Sequence, residues 1–166
     1  HPSTVNDCDM TFKIFLPSSA SPSTPVLYYL SGLTCTPSNF AEKCPNAFAS
    51  ANSANIAIVL PDTSPRGHPS ITGEDDDWDF GTGAGFYIDA TTPAFSKNYN
   101  MYSYVTEELP ALISTTFNLS SIKSITGHSM GGHGALTIAL KNPTEWASVS
   151  ALAPICNPTK CPWGVK

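Results

Sequence analysis

Charge is scarce in this chain. Charged side chains make up 13% of its 166 residues, about half the ~25% usual in globular proteins. The 8 basic and 13 acidic residues leave a net charge of −5, and nowhere do the basic residues gather into a stripe. That argues against a nucleic-acid partner, whose phosphates call for clustered Lys and Arg. No apolar run approaches the ~18 residues of a membrane-spanning helix, so no membrane partner is expected. Cysteine is sparse and odd in number: Cys8, Cys35, Cys44, Cys156 and Cys161. Secreted disulfide scaffolds are denser and even-numbered, so free thiols in a reducing compartment are the expectation.

Metal and cofactor signatures are missing as well. Neither C-x-x-C nor H-E-x-x-H occurs, and the spacing of Cys156 and Cys161 suits neither a redox pair nor a zinc ribbon. Five of the acids crowd into Glu74, Asp75, Asp76, Asp77 and Asp79. Asp75, Asp77 and Asp79 start like a calcium loop, but Phe80 replaces its turn glycine and Phe86 its closing glutamate. The glycine-rich run that follows is not a G-x-G-x-x-G opening a helix after a strand, which argues against a dinucleotide. No metal and no cofactor are expected.

What is present is a regular alternation of apolar segments. Met10 to Leu16 alternates like a half-exposed strand. Val26–Leu30 is a short continuous apolar run, the pattern of a strand buried on both faces, and Ile56–Leu60 is another buried strand. Ile122–Thr126 reads as a third short strand and Ser148–Leu152 as a fourth, buried one. Pro45–Ser53 suits a helix. Met101, Val105, Leu109, Leu112, Ile113 and Phe117 mark one face of a longer helix that Pro110 should bend or break. Residues 132–141 form a helix of small residues, closed by Asn142-Pro143. Strands alternating with helices predict one α/β domain around a mostly parallel sheet. The stretch from Asp62 to about Asn100 is too long for a plain connection and should carry function or small elements of its own.

The chemistry is expected at Gly127-His-Ser-Met-Gly131. Roughly 0.09 such G-x-S-x-G motifs are expected by chance from this composition. Here an apolar strand precedes the motif and a helix follows it, the context of a serine nucleophile on a strained strand-to-helix turn. The helix N-terminus offers the Met130 N–H to a developing oxyanion. The loop Leu30-Ser-Gly-Leu-Thr-Cys-Thr36 follows a buried strand and can supply the second donor, the Leu33 N–H, with Gly32 permitting close approach. Cys35 then lies near the site. Serine needs a base held by an acid, in this arrangement both later in the chain. After Ser129 stand only His133 and Glu145. His133 is placed for packing or a helix-end contact, and His128 should point away from Ser129, so neither reads as the base.

Several longer blocks carry a resemblance. Leu30–Thr36, Pro61-Asp-Thr-Ser-Pro-Arg-Gly67, Gly73-Glu-Asp75 and Trp78-Asp-Phe-Gly-Thr-Gly-Ala-Gly-Phe-Tyr87 resemble the S-formylglutathione hydrolase (esterase D) family. So do Met101-Tyr-Ser-Tyr-Val-Thr-Glu-Glu-Leu-Pro110, Gly127-His-Ser-Met-Gly-Gly-His-Gly134, Ala153-Pro-Ile-Cys-Asn-Pro158 and Cys161-Pro-Trp-Gly164. The resemblance implies an α/β-hydrolase fold, truncated here after the strand that follows the nucleophile helix. Residues 1–166 would form a single domain incomplete at both ends. It implies a cytoplasmic, cofactor-free homodimer that hydrolyses the thioester S-formylglutathione, and small esters, in formaldehyde detoxification. Ser129 would be the nucleophile, with the Leu33 and Met130 amides as the oxyanion hole. Cys35 would sit beside it, and Phe86 and Trp163 would line the substrate pocket. The triad Asp and His would lie beyond Lys166, leaving the 166-residue polypeptide inactive alone. Two rival readings are a general carboxylesterase or acyltransferase of the same fold, and a non-catalytic interaction module.

Overall fold

A computed structural model describes residues 1–164, with Trp163 described by its backbone alone. A small hairpin of β1 (Pro2–Ser3) and β2 (Cys8–Asp9) precedes the main sheet. That sheet contains β3 (Phe12–Phe15), β4 (Val26–Leu30), β5 (Ala57–Pro61), β6 (Lys123–His128) and β7 (Val149–Leu152). The spatial order is β3-β5-β4-β6-β7. β3 runs antiparallel to β5, and the other three pairings are parallel. The expected α/β architecture with a mostly parallel sheet is what the chain adopts.

The helices form where local chemistry allows. α1 (Pro37–Lys43) starts behind a capping box in which Thr36 accepts from the first turn while the Asn39 side chain bonds back to the Thr36 N–H. α2 (Pro45–Ser53) opens on proline, which the first helical position tolerates because its N–H would have no partner there. The helix expected from Met101 is interrupted. α3 (Met101–Ser103) passes into a π-helical turn, Tyr104–Glu108, before α4 (Leu109–Phe117). In that turn the Leu109 N–H reaches back to the Tyr104 carbonyl. Pro110 has no N–H to offer one turn back, so the ladder widens by one residue and then resumes. Asn118 ends α4 in the left-handed conformation. α5 (Met130–Lys141) begins directly at the end of β6.

One face of the sheet carries the main core. Val26, Tyr28, Leu30, Ala57, Val59 and Ile125 are buried there against Tyr104, Val105, Leu109 and Ile113. On the opposite face Ile58 and Leu60 form a smaller cluster with Ala51, flanked by Phe40, Phe48 and Tyr29. Two expectations need correction here. β4 is not sealed on both faces, since Leu27 and Tyr29 alternate as half-buried residues between buried neighbours. The last strand, expected to be buried, is largely exposed: Val149 is 38% and Leu152 54% accessible. Among the described residues β7 pairs only with β6 and forms the sheet edge, so its apolar residues lack a second neighbouring strand and a covering layer.

Leu27, Tyr29, Phe40, Ile56, Ile58 and Leu152 together line an apolar depression of about 380 Å³ on this second face. A broad apolar face beside an open strand edge favours self-association. The 166-residue polypeptide expressed alone is therefore expected to bind a hydrophobic dye and to elute above monomer size, with Leu152→Lys reducing both. A monodisperse monomer that ignores the dye contradicts this.

Candidate active site

β6 stops at His128 and α5 starts at Met130, leaving Ser129 alone between a strand and a helix. It takes φ 57° and ψ −118°, a region that costs a non-glycine residue on the order of 1–3 kcal/mol. Its own peptide groups hold it there. The Ser129 N–H donates to the Leu152 carbonyl at 2.9 Å, and the Ser129 carbonyl accepts from the His133 N–H at 3.0 Å. The side chain is half-buried, and among the described residues its hydroxyl makes no hydrogen bond.

The turn also requires main chains to meet without side chains between them. A Cβ on Gly131 would fall well inside contact with the Leu30 carbonyl, and one on Gly127 would collide with the Gly131 carbonyl. The expected closeness of the Leu30–Thr36 loop is observed: a Cβ on Gly32 would stand 3.3 Å from the Ser129 Cβ. Leu33, the next residue, is half-buried. Neither the Leu33 N–H nor the Met130 N–H has a hydrogen-bond acceptor among the described residues. Both sit on segments packed against Ser129.

The other expected residues sort as follows. His133 lies one helical turn past Ser129, with its Nδ1 2.8 Å from the Ile155 carbonyl; it anchors the segment after β7. His128 is exposed and its ring lies beside Gly32, making no hydrogen bond to Ser129. Cys35 is half-buried and its thiol is free. It belongs to the Gly32–Cys35 turn, closed by the Cys35 N–H donating to the Gly32 carbonyl at 3.3 Å. Phe86 is half-buried and packs against the main core. The Trp163 side chain lies outside the described residues. The stretch from Asp62 to Asn100 forms no helix or strand among the described residues; it is built of turns and one isolated bridge between Asp89 and Asn100.

One residue that sequence reasoning missed is Tyr87. It is fully buried, holds φ 54°, and donates its hydroxyl to the Ser31 carbonyl at 2.9 Å. Burial pushes its phenol well above the ordinary value, so it stays protonated and able to donate. It fixes the root of the loop that carries Leu33. The only hint of this in the sequence is an aromatic pair closing a glycine-rich run.

Comparison with known proteins agrees with this geometry. The family model described as "Putative esterase" matches residues 3–166. The chain belongs to the esterase family. Within it, the chain is 56% identical over 170 residues to S-formylglutathione hydrolase of Rattus norvegicus, covering 100% of this chain and 59% of that protein. Its fold superposes with a TM-score of 0.93 on an S-formylglutathione hydrolase from Agrobacterium tumefaciens, at 49% identity, over 99% of this chain and 60% of that one. At greater distance, the fluorophosphonate-binding serine hydrolase FphF of Staphylococcus aureus shares the fold at 19% identity and a TM-score of 0.73, over 98% of this chain and 59% of that one. The chain spans about three fifths of the length of the curated relatives it matches.

The glycine contacts make a sharp prediction. Gly131→Ala forces a methyl group into the Leu30 carbonyl, and overpacking against backbone costs about 1–3 kcal/mol or more. A drop of several degrees in the thermal unfolding midpoint is expected. An unchanged midpoint would mean that β4 and α5 do not touch there.

Proposed function

We propose that this chain is the nucleophile-bearing part of a serine hydrolase that cleaves S-formylglutathione to glutathione and formate. The observation that carries the reading is Ser129 at positive φ between strand and helix, with the Gly32 turn packed against it. Support comes from the 56% identity to relatives of that name across the whole chain.

The reaction follows from the groups at hand. Ser129 Oγ attacks the formyl carbon of the thioester while a base removes its proton. The carbonyl oxygen becomes an oxyanion and is held by the Leu33 and Met130 amides, where one such donor is worth about 2.7–4 kcal/mol in the transition state. The C–S bond breaks, and the glutathione sulfur leaves with the proton returned by the base. Water then attacks the formyl ester on Ser129, releasing formate and the free hydroxyl. His133 is committed to the Ile155 carbonyl through Nδ1 and His128 makes no bond to Ser129. By likeness to the relatives, the base and its acid are assigned to an Asp and a His outside residues 1–166. Cys35, Phe86 and Trp163 are assigned to the substrate side of the site by likeness to the relatives. No resident cofactor enters this scheme. All five cysteines are free, which suits a reducing compartment, and no helix of the described residues is long and apolar enough to cross a membrane. The same likeness assigns the full-length enzyme to a cytoplasmic homodimer in formaldehyde detoxification.

The test is an assay of the full-length polypeptide with S-formylglutathione beside a simple aryl ester. Strong preference for the thioester, lost by at least about 10⁴-fold in Ser129→Ala, is expected. Equal or greater activity on the aryl ester would favour a general carboxylesterase. Activity that survives Ser129→Ala would overturn the serine mechanism. Residues 1–166 alone should show negligible turnover.

A further inference from the structure

The Gly32–Cys35 turn is strained at a point that its own sequence does not favour. Its third residue, Thr34, takes φ 66°, with the Cys35 N–H bonded to the Gly32 carbonyl. Positive φ at that position alone is the pattern of a type II turn, which calls for glycine. A β-branched residue there is an outlier that persists only where its surroundings over-determine it. Left to itself, the segment would relax toward a type I turn by flipping the Leu33–Thr34 peptide.

Two neighbouring loops prevent that. The Gly83 carbonyl accepts the Thr34 N–H at 2.9 Å, a bond that the flipped peptide would lose. The Cys35 carbonyl, at the exit of the turn, accepts from Thr63 Oγ1 at 2.5 Å and from Arg66 Nη2 at 3.3 Å. Arg66 is aimed by Asp62, whose two carboxylate oxygens each accept from Arg66 Nε at 3.1 Å. Asp62 is 5% exposed and Thr63 fully buried, whereas the Arg66 side chain is 36% exposed. Burial pushes the Asp62 carboxyl above its ordinary value, and the Arg66 guanidinium and the Thr63 and Ser64 amides oppose that shift. The loops are joined to each other as well, since the Gly83 N–H donates to Ser64 Oγ and the Gly85 N–H to the Thr63 carbonyl. Past Cys35 the chain enters the capping box of α1 at once.

From this arrangement we infer that Asp62, Thr63 and Arg66 form a brace that clamps the Cys35 carbonyl and so presets the strained turn presenting the Leu33 amide to the oxyanion. They are positioning residues that act through the turn and do not touch the substrate. The inference rests on the hydrolase reading above. Because an oxyanion donor works in the transition state and little in the ground state, a loosened brace lowers kcat and spares KM.

The experiment uses the full-length enzyme with S-formylglutathione. Arg66→Gln is expected to lower kcat by about 10²-fold, the scale of a small misplacement at a reacting centre, with KM within about twofold. Thr34→Gly added to Arg66→Gln should restore at least about tenfold of that kcat, because glycine adopts the type II geometry without help. A purely structural role for Arg66 would not be rescued at residue 34. Amide exchange at Thr34 and Cys35 should quicken in Arg66→Gln and slow again in the double variant, a readout independent of turnover. Thr63→Val keeps the side-chain shape, removes one donor to the Cys35 carbonyl, and should lower kcat in the same sense if Arg66→Gln fails to fold. An unchanged kcat, a rise in KM alone, or no rescue by Thr34→Gly overturns the brace. A wild-type enzyme inactive on the thioester overturns the hydrolase reading instead, while the exchange data still decide whether the brace holds the turn.

Discussion

The site depends on two main chains touching where the first turn of α5 meets the end of β4. Gly131 and the Leu30 carbonyl are so close that no side chain fits between them. That contact fixes where α5 can begin, and so fixes Ser129 as the single residue that must turn the chain from strand to helix. It also brings the loop after β4 against the serine, because the same strand that supplies the Leu30 carbonyl continues into Gly32 two residues later. Ser129 and the loop are thereby held to one another by close backbone packing.

Strain gathers around this contact. Thr34, Phe86, Tyr87, Ser129 and Ala153 are non-glycine residues at positive φ, all on connections linked to the site. Two of them are held by bonds to another segment, Thr34 to the Gly83 carbonyl and Ser129 to the Leu152 carbonyl, and Tyr87 ties the root of the Leu33 loop through its hydroxyl. Residues held in such regions persist when their surroundings over-determine them, and functional sites are where they cluster. The long connection between β5 and α3 is the reason there are enough bonds to do so. Its first turn carries Asp62, Thr63 and Arg66, and its glycine-rich part carries Gly83 and Tyr87. What reads as loop in the sequence is the scaffold of the site.

The limits of the sequence are visible in particular residues. The serine turn was legible because its requirements are local: two glycines, an apolar strand before and a helix after. The α2 helix and the break at Pro110 were legible for the same reason. The exposure of β7 was not legible, because an apolar run states what a strand would bury and not whether anything lies beside it. The brace on Cys35 was equally hidden. Its acceptor is a backbone carbonyl, which no residue type announces, and its donors are 28 and 31 residues away along the chain. Tyr87 reaches Ser31 across 56 residues. Contacts of that kind are set by topology, and only the folded chain reveals them.

The central claim is that the hydroxyl of Ser129 is presented as a nucleophile by this strained turn. It is tested most directly by treating the active full-length enzyme with a fluorophosphonate and mapping the adduct by peptide mass spectrometry. The account predicts one phosphonyl group per chain, on Ser129, appearing in step with loss of thioesterase activity. An adduct on another residue, or full inactivation with Ser129 unmodified, would contradict it.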